Sequence, residues 1–110
     1  MDVERGTNLE AAQQLIERAL ALEPSNGAYV DSLGWCYYQR GWLDQAIEQL
    51  ERAATLLDTD PAIFDHLGDA HFKRGDLEQA RAAWQKAVEL DPKMDATVRK
   101  LERLIKSEAP

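Results

Sequence analysis

An internal repeat with a period of 34 residues is the feature that most constrains the fold of this 110-residue chain. Residues 30–57, VDSLGWCYYQRGWLDQAIEQLERAATLL, return as residues 64–90, FDHLGDAHFKRGDLEQARAAWQKAVEL. A fixed period in this range indicates that each copy is one supersecondary unit, which buries its apolar face against a neighbouring copy. The residues that recur in register are Leu33 and Gly34 with Leu67 and Gly68, Arg40 and Gly41 with Arg74 and Gly75, Ala46 with Ala80, Leu50 with Trp84, and Ala53 with Ala87.

The order of residue types within each copy resembles the tetratricopeptide repeat family. That family's unit is a helix–turn–helix with a large apolar residue, then Leu-Gly, then Tyr, an alanine followed by an aromatic residue, and a late proline. The resemblance implies an all-α, right-handed solenoid of antiparallel helix hairpins. The first copy departs from the pattern at Val30, Leu50 and Asp58, and the second departs at His71. The matching residues are Leu33, Gly34, Tyr37 and Ala46, and then Phe64, Leu67, Gly68, Ala80, Trp84 and Pro92.

Start and stop residues divide the chain into six predicted helices and no strands. Asp60 followed by Pro61 is a strong helix start, because Asp caps the first turn and Pro suits its first position. Residues 1–7 are interpreted as a leader or short loop, with Asn8 as the cap of the first helix. The predicted organisation is a single domain with residues 8–26 as the second helix of a partial repeat, repeats at 27–60 and 61–94, and a capping helix at 95–107.

Two glycines lie in the middle of predicted helices, where Gly costs roughly 1 kcal/mol relative to Ala. Gly34 and Gly68 recur in register, which indicates close approach of the two helices within each hairpin. Ala46 and Ala80 are expected to be the small residues opposite them.

The two ends of the array differ. The first helix has an apolar face, Leu9, Ala12, Ile16 and Ala19, with no first helix of its own to cover it, so it is expected to be partly uncovered and to favour homo-oligomers through residues 8–22. The last helix has Glu102 at the position of Gly34 and Gly68, as expected for a cap. These features, with a looser likeness to the C-terminal repeats of large bacterial tetratricopeptide proteins, predict a fragment cut at its N-terminal end.

Composition limits the partners. Thirteen Lys and Arg stand against twenty Asp and Glu, a formal net charge of -7, which argues against nucleic acid and anionic lipid. The single cysteine cannot form an internal disulfide. The chain has no signal-peptide pattern and no stretch as apolar as a membrane span, so a soluble location, cytoplasmic or periplasmic, is expected.

The sequence contains no catalytic motif, so we expect neither an enzyme nor a cofactor. Asp65, His66 and Asp69 are the nearest approach to a metal site, but carboxylates on acidic helices are usually solvated, and no metal is expected. Cys36 is expected to be a small buried apolar residue.

The core stripe is the side of each first helix that carries Leu33 in one copy and Leu67 in the other. The candidate binding residues lie on the opposite face of each first helix. In the family these faces line a concave groove, and residues three and four apart share one side of a helix. The resemblance therefore implies one groove that is acidic and aromatic in the middle and basic at its C-terminal end. Its predicted residues are Asp31, Trp35, Tyr38, Gln39, Asp65, Asp69, Phe72, Lys73, Arg99 and Arg103.

Charge at these positions selects among partners. The family's basic clamp for a terminal carboxylate requires Lys, Arg and Asn where this chain has Asp31, Trp35, Asp65 and Asp69, so that clamp is absent. A protein or peptide partner with basic and apolar features is expected instead. The aromatic residues either anchor that partner or pack against a neighbouring repeat. Self-assembly through the first helix and an accessory role in a larger enzyme are the alternatives to an adaptor.

Overall fold

The computed structural model describes residues 2–108, and side chains from residue 8 onward. Over these residues the chain is all-α and contains six helices and no strand, which confirms the predicted fold class. The helices are α1 (Asp2–Leu22), α2 (Gly27–Gln39), α3 (Leu43–Leu56), α4 (Pro61–Arg74), α5 (Leu77–Leu90) and α6 (Asp95–Glu108). They form two compact units, an N-terminal unit of α1 to α3 that ends at Asp58 and a C-terminal unit of α4 to α6 that begins at Thr59.

The start of α1 differs from the prediction. The helix begins at Asp2, so residues 2–7 are helical instead of a leader, and Asn8 lies inside the helix instead of capping it; Met1 lies outside the described residues. The segment contains no proline, and its one glycine costs only roughly 1 kcal/mol in a helix. The remaining residues of α1 follow directly and continue the same helix, which offsets that cost.

Side-chain caps set the starts of α2 and α4, and the cap at Asp60 is the one predicted from the sequence. The side chain of Asn26 accepts a hydrogen bond from the backbone N–H of Tyr29, and that of Asp60 accepts one from the N–H of Ala62. Pro61 occupies the first turn of α4, where the absence of its N–H costs nothing. Gly41 and Gly75 turn the chain between the helices of each hairpin with φ of 81° and 93°, a conformation that favours glycine.

The predicted core residues are buried within each hairpin. Leu33 and Ala46 are buried between α2 and α3, and Leu67 and Ala80 are buried between α4 and α5. Cys36 is buried as expected, and its thiol donates a long contact of 3.7 Å to the carbonyl of Leu9. The core stripe of each first helix therefore faces its own second helix.

The close approach at the glycines is confirmed, but the groups opposite are not the predicted alanines. A Cβ added to Gly34 would lie 2.7 Å from Cγ of Leu50, and one added to Gly68 would lie 2.2 Å from Cδ1 of Trp84. Ala46 contributes only its carbonyl oxygen, 3.3 Å from the added Cβ at Gly34. Each glycine thus makes room for the large side chain at the later position of the repeat.

Replacing Gly68 with alanine separates packing from helix propensity. Helix propensity alone predicts that a change from glycine to alanine in an exposed helix is stabilising by roughly 1 kcal/mol. Because the new methyl group would overlap the Trp84 ring, we expect Gly68→Ala to lower the free energy of unfolding by roughly 1–3 kcal/mol instead. The measurement is urea unfolding, with Ser32→Ala at an exposed site in α2 as the control. A Gly68→Ala protein at least as stable as the parent would contradict the packing.

Candidate functional site

An aromatic pair lies on the predicted binding face of the N-terminal unit. Trp35 and Tyr38 stack with their ring centroids 4.6 Å apart and their planes 11° from parallel. Both are half-buried, as is Asp31 one turn earlier on α2, and Gln39 beside them is exposed. Helical spacing places these four residues on the side of α2 opposite Leu33. The surface combines stacked aromatic rings with a carboxylate and an amide.

A second aromatic group lies in the C-terminal unit. The Phe72 side chain is 49% exposed, and its ring centroid is 5.5 Å from that of the buried Trp84. Lys73 is exposed next to it on α4. Phe72 therefore extends an otherwise covered aromatic cluster to the surface.

The two predicted acidic residues of this unit form an ion-pair network with α6. The ammonium group of Lys100 lies 2.8 Å from Oδ1 of Asp65 and 2.7 Å from Oδ1 of Asp69. Thr97 donates its hydroxyl to Asp65 at 2.6 Å, and the indole N–H of Trp84 donates to Asp69 at 3.2 Å. The interpretation of these carboxylates as solvated is therefore wrong, because Lys100, Thr97 and Trp84 of the same unit bind them.

Burial and hydrogen bonding act in opposite directions on the charges of this network. Burial raises the pKa of Asp69, although the hydrogen bond from Lys100 opposes that effect. Burial also disfavours the charge of Lys100, but its hydrogen bonds to Asp65 and Asp69 outweigh this and raise the pKa of the ammonium group. The lysine is therefore charged at neutral pH and holds the two carboxylates close to one another.

The basic residues of α6 differ in exposure. Lys100 is half-buried, with a side chain only 28% exposed. Arg99 and Arg103 are exposed and line an open depression on α6 together with Glu102, Ile105 and Lys106. The cation of α6 that pairs with the aspartates is thus Lys100.

Sequence reasoning did not find Lys100, although a spacing signal was available. The lysine follows Asp65 by 35 residues and Asp69 by 31. These separations bracket the 34-residue period, so all three side chains belong to corresponding turns of α4 and α6. Opposite charges at both offsets indicate a contact between first helices.

The remaining titratable candidates, His71 and Cys36, are buried side chains. His71 is buried at the position of Tyr37, and its Nδ1 lies 3.3 Å from Oδ2 of Asp76. Burial raises the pKa of the Cys36 thiol, which disfavours the reactive thiolate. Among the residues with described side chains, no group of three or more His, Cys, Asp and Glu is placed to hold a metal ion.

Family models match most of the chain. A tetratricopeptide repeat model matches residues 3–61, and a second tetratricopeptide repeat model matches residues 61–94. The chain belongs to the tetratricopeptide repeat family. No curated protein matches it by sequence.

Solved structures share the fold of this tetratricopeptide repeat chain. The first such domain of Spaghetti (RPAP3), bound to the HSP90 peptide SRMEEVD, is 16% identical with a TM-score of 0.89, over 99% of this chain and 86% of that one. The Yersinia enterocolitica chaperone SycD, in complex with a peptide of the translocator YopD, is 18% identical with a TM-score of 0.86, over 98% and 88%. The Sgt2 domain from Aspergillus fumigatus is 25% identical with a TM-score of 0.85, over 96% and 72%.

Within the described part of this tetratricopeptide repeat chain, no helix has the length and apolar character that crossing a membrane requires.

Removing the Lys100 ammonium should destabilise the C-terminal unit. Lys100→Met leaves two mostly covered carboxylates without their cation, and we expect a loss of roughly 1–3 kcal/mol in urea unfolding at pH 7. Lys106→Met removes an exposed cation of the same helix and should change stability by no more than about 0.5 kcal/mol.

The stability lost in Lys100→Met should become smaller as the pH falls through the raised pKa of Asp69, because a protonated Asp69 no longer attracts the ammonium group. Equal effects of the two variants would contradict the network.

Proposed function

We propose that this chain is a protein-interaction module, an adaptor or scaffold without catalytic activity, which binds a partner peptide on the first-helix faces. The observation that carries the proposal is the stacked pair Trp35 and Tyr38 on the side of α2 away from its core stripe. Aromatic residues of this kind are enriched at protein interfaces and often dominate their affinity.

Peptide complexes of structural neighbours support a binding role. The RPAP3 domain is bound to an HSP90 peptide and SycD to a YopD peptide. Their identity to this chain is low, so the support comes from the shared fold. The chemistry of the partner must therefore be inferred from this chain's own residues.

The partner we propose has an apolar anchor and a nearby Lys or Arg. The half-buried rings of Trp35 and Tyr38 offer an apolar surface for the anchor, and Phe72 offers a second in the C-terminal unit. Asp31 lies one turn from Trp35 and contributes negative charge beside the rings. The net charge of -7 adds long-range attraction for a basic segment. The apolar contact should supply affinity, and the charges should supply orientation and association rate.

A matched pair of tryptophan variants tests the proposed face. Peptides are first selected on the whole chain from a random phage-displayed library, and their affinities are then measured for each variant by fluorescence anisotropy. Trp35→Ala should weaken binding by roughly 30-fold or more, since truncation of a dominant interface residue costs about 2 kcal/mol. Trp42→Ala is the control, because Trp42 is also partly exposed but lies in the turn before α3 and contacts Tyr37 and Arg40.

The salt dependence of peptide affinity distinguishes the apolar contribution of Trp35 from the electrostatic contribution of Asp31. Asp31→Asn should weaken binding mainly at low ionic strength, whereas the loss in Trp35→Ala should persist at high salt. Wild-type affinity in Trp35→Ala, with binding abolished by substitution of Gln49, Glu51 or Gln85 on the second helices, would place the working surface elsewhere.

Exposed leucines on α1 favour a second candidate function, self-association through residues 8–22. Leu15 is 63% exposed and Leu22 is 84% exposed, and they lie seven residues apart on one side of the helix. Leu9, Ala12, Ile16 and Ala19 are half-buried. Exposed apolar patches of this kind favour association, and a second copy of the chain could cover this one.

Sedimentation velocity over a range of concentrations tests self-association. If α1 mediates it, Leu15→Gln with Leu22→Gln should weaken the dimer by roughly tenfold or more, because burying a leucine contributes about 1.5–3 kcal/mol. Leu77→Gln, at an exposed leucine of α5, should leave it unchanged. A wild-type chain that stays monomeric at the highest concentration would exclude this candidate.

A further inference from the structure

We propose that Asp65, Asp69 and Trp84 form a site for a primary ammonium or guanidinium group, and that Lys100 is its built-in occupant. This inference rests on the proposed partner-binding function and adds a regulatory element to it. While Lys100 occupies the site, a lysine or arginine of a partner cannot reach the two aspartates of the C-terminal unit. Partner binding to these acids then depends on displacement of Lys100.

The three groups of the site lie on α4 and α5, and Leu104 of α6 completes the packing around Trp84. Asp65 and Asp69 lie one turn apart on α4, and the indole of Trp84 on α5 donates to Asp69 at 3.2 Å. Trp84 is buried and held against Gly68, where there is no room for even a methyl group. The carboxylates and the ring are therefore positioned by the packing of the α4–α5 hairpin.

The position of the Lys100 ammonium shows that a cation fits this site. It lies 2.7 and 2.8 Å from the two carboxylate oxygens and 5.6 Å from the centroid of the Trp84 ring. Two carboxylates and an aromatic face are the groups that bind a primary ammonium well. Because 28% of the lysine side chain is exposed, the site is open to solvent on one side.

Competition explains how the contact excludes a partner. A tethered group acts at an effective concentration of millimolar or higher, so an external cation must compete with it. When Lys100 is absent, Asp65 and Asp69 carry two uncompensated negative charges, and Thr97 continues to donate to Asp65 only while α6 remains docked. Without the Lys100 ammonium group, the site carries net negative charge and is accessible to an external cation.

Titration with n-butylammonium chloride at constant ionic strength tests the inference without any peptide. The readout is the indole N–H signal of Trp84 in proton–nitrogen correlation spectra of the whole chain. Lys100→Met should show a saturable shift of this signal, and the wild type and Lys100→Arg should show an apparent affinity at least roughly tenfold weaker. Asp69→Asn in the Lys100→Met background should remove the effect.

The outcomes separate this inference from the proposed function. Leu101 and Leu104 of α6 pack against the Trp84 cluster, so α6 is expected to stay docked in Lys100→Met, and unchanged helicity by circular dichroism checks this. Lys100→Gln provides a second variant without the ammonium group. No shift in Lys100→Met, or an equal shift in the wild type, would overturn the inference whether or not peptides bind at Trp35. Failure of peptide selection or of the Trp35 comparison would overturn the proposed function and leave the alkylammonium result unaffected.

Discussion

The contact between Gly68 and Trp84 is the interaction on which the C-terminal unit depends. Without a Cβ at residue 68, the large indole packs directly against the backbone of α4. That position brings the indole N–H to Asp69, and Asp69 with Asp65 then holds Lys100 of α6. One missing methyl group thus connects hairpin packing to the docking of the last helix. The N-terminal unit has the same close approach between Gly34 and Leu50, but a leucine has no donor to extend it.

Much of the fold could be predicted because local signals and the repeat agree. Asp60 caps α4 and Pro61 begins it, as the sequence predicted, and Gly41 and Gly75, which recur in register, turn the chain between the helices of each hairpin. The in-register Gly34 and Gly68 predicted the close helix contacts, although not the bulky groups that fill them. Such agreement between local and global preferences is typical of sequences that fold to one structure.

The parts that could not be predicted depend on tertiary context. Asn8 has the chemistry of a cap, but the preceding residues continue the helix, and a cap residue has no role inside it. Asp65 and Asp69 have the composition of a solvated face, yet α6 brings Lys100 and Thr97 onto them. Composition describes one helix at a time, whereas the charge of a surface depends on the helix that packs beside it. Helical periodicity alone determines that Trp35 lies opposite Leu33 and Phe72 opposite Leu67, whereas their role in binding a partner stays a prediction.

The three tryptophans provide a direct test of where a partner binds. Trp35 lies on the proposed face, Trp42 lies in the turn before α3, and Trp84 lies in the core of the other unit. Their indole N–H signals can be followed in one correlation spectrum while a selected peptide is added. Binding on the first-helix face predicts that the Trp35 signal moves with saturation while the Trp42 signal stays in place. Movement of Trp42 with an unchanged Trp35 would contradict it.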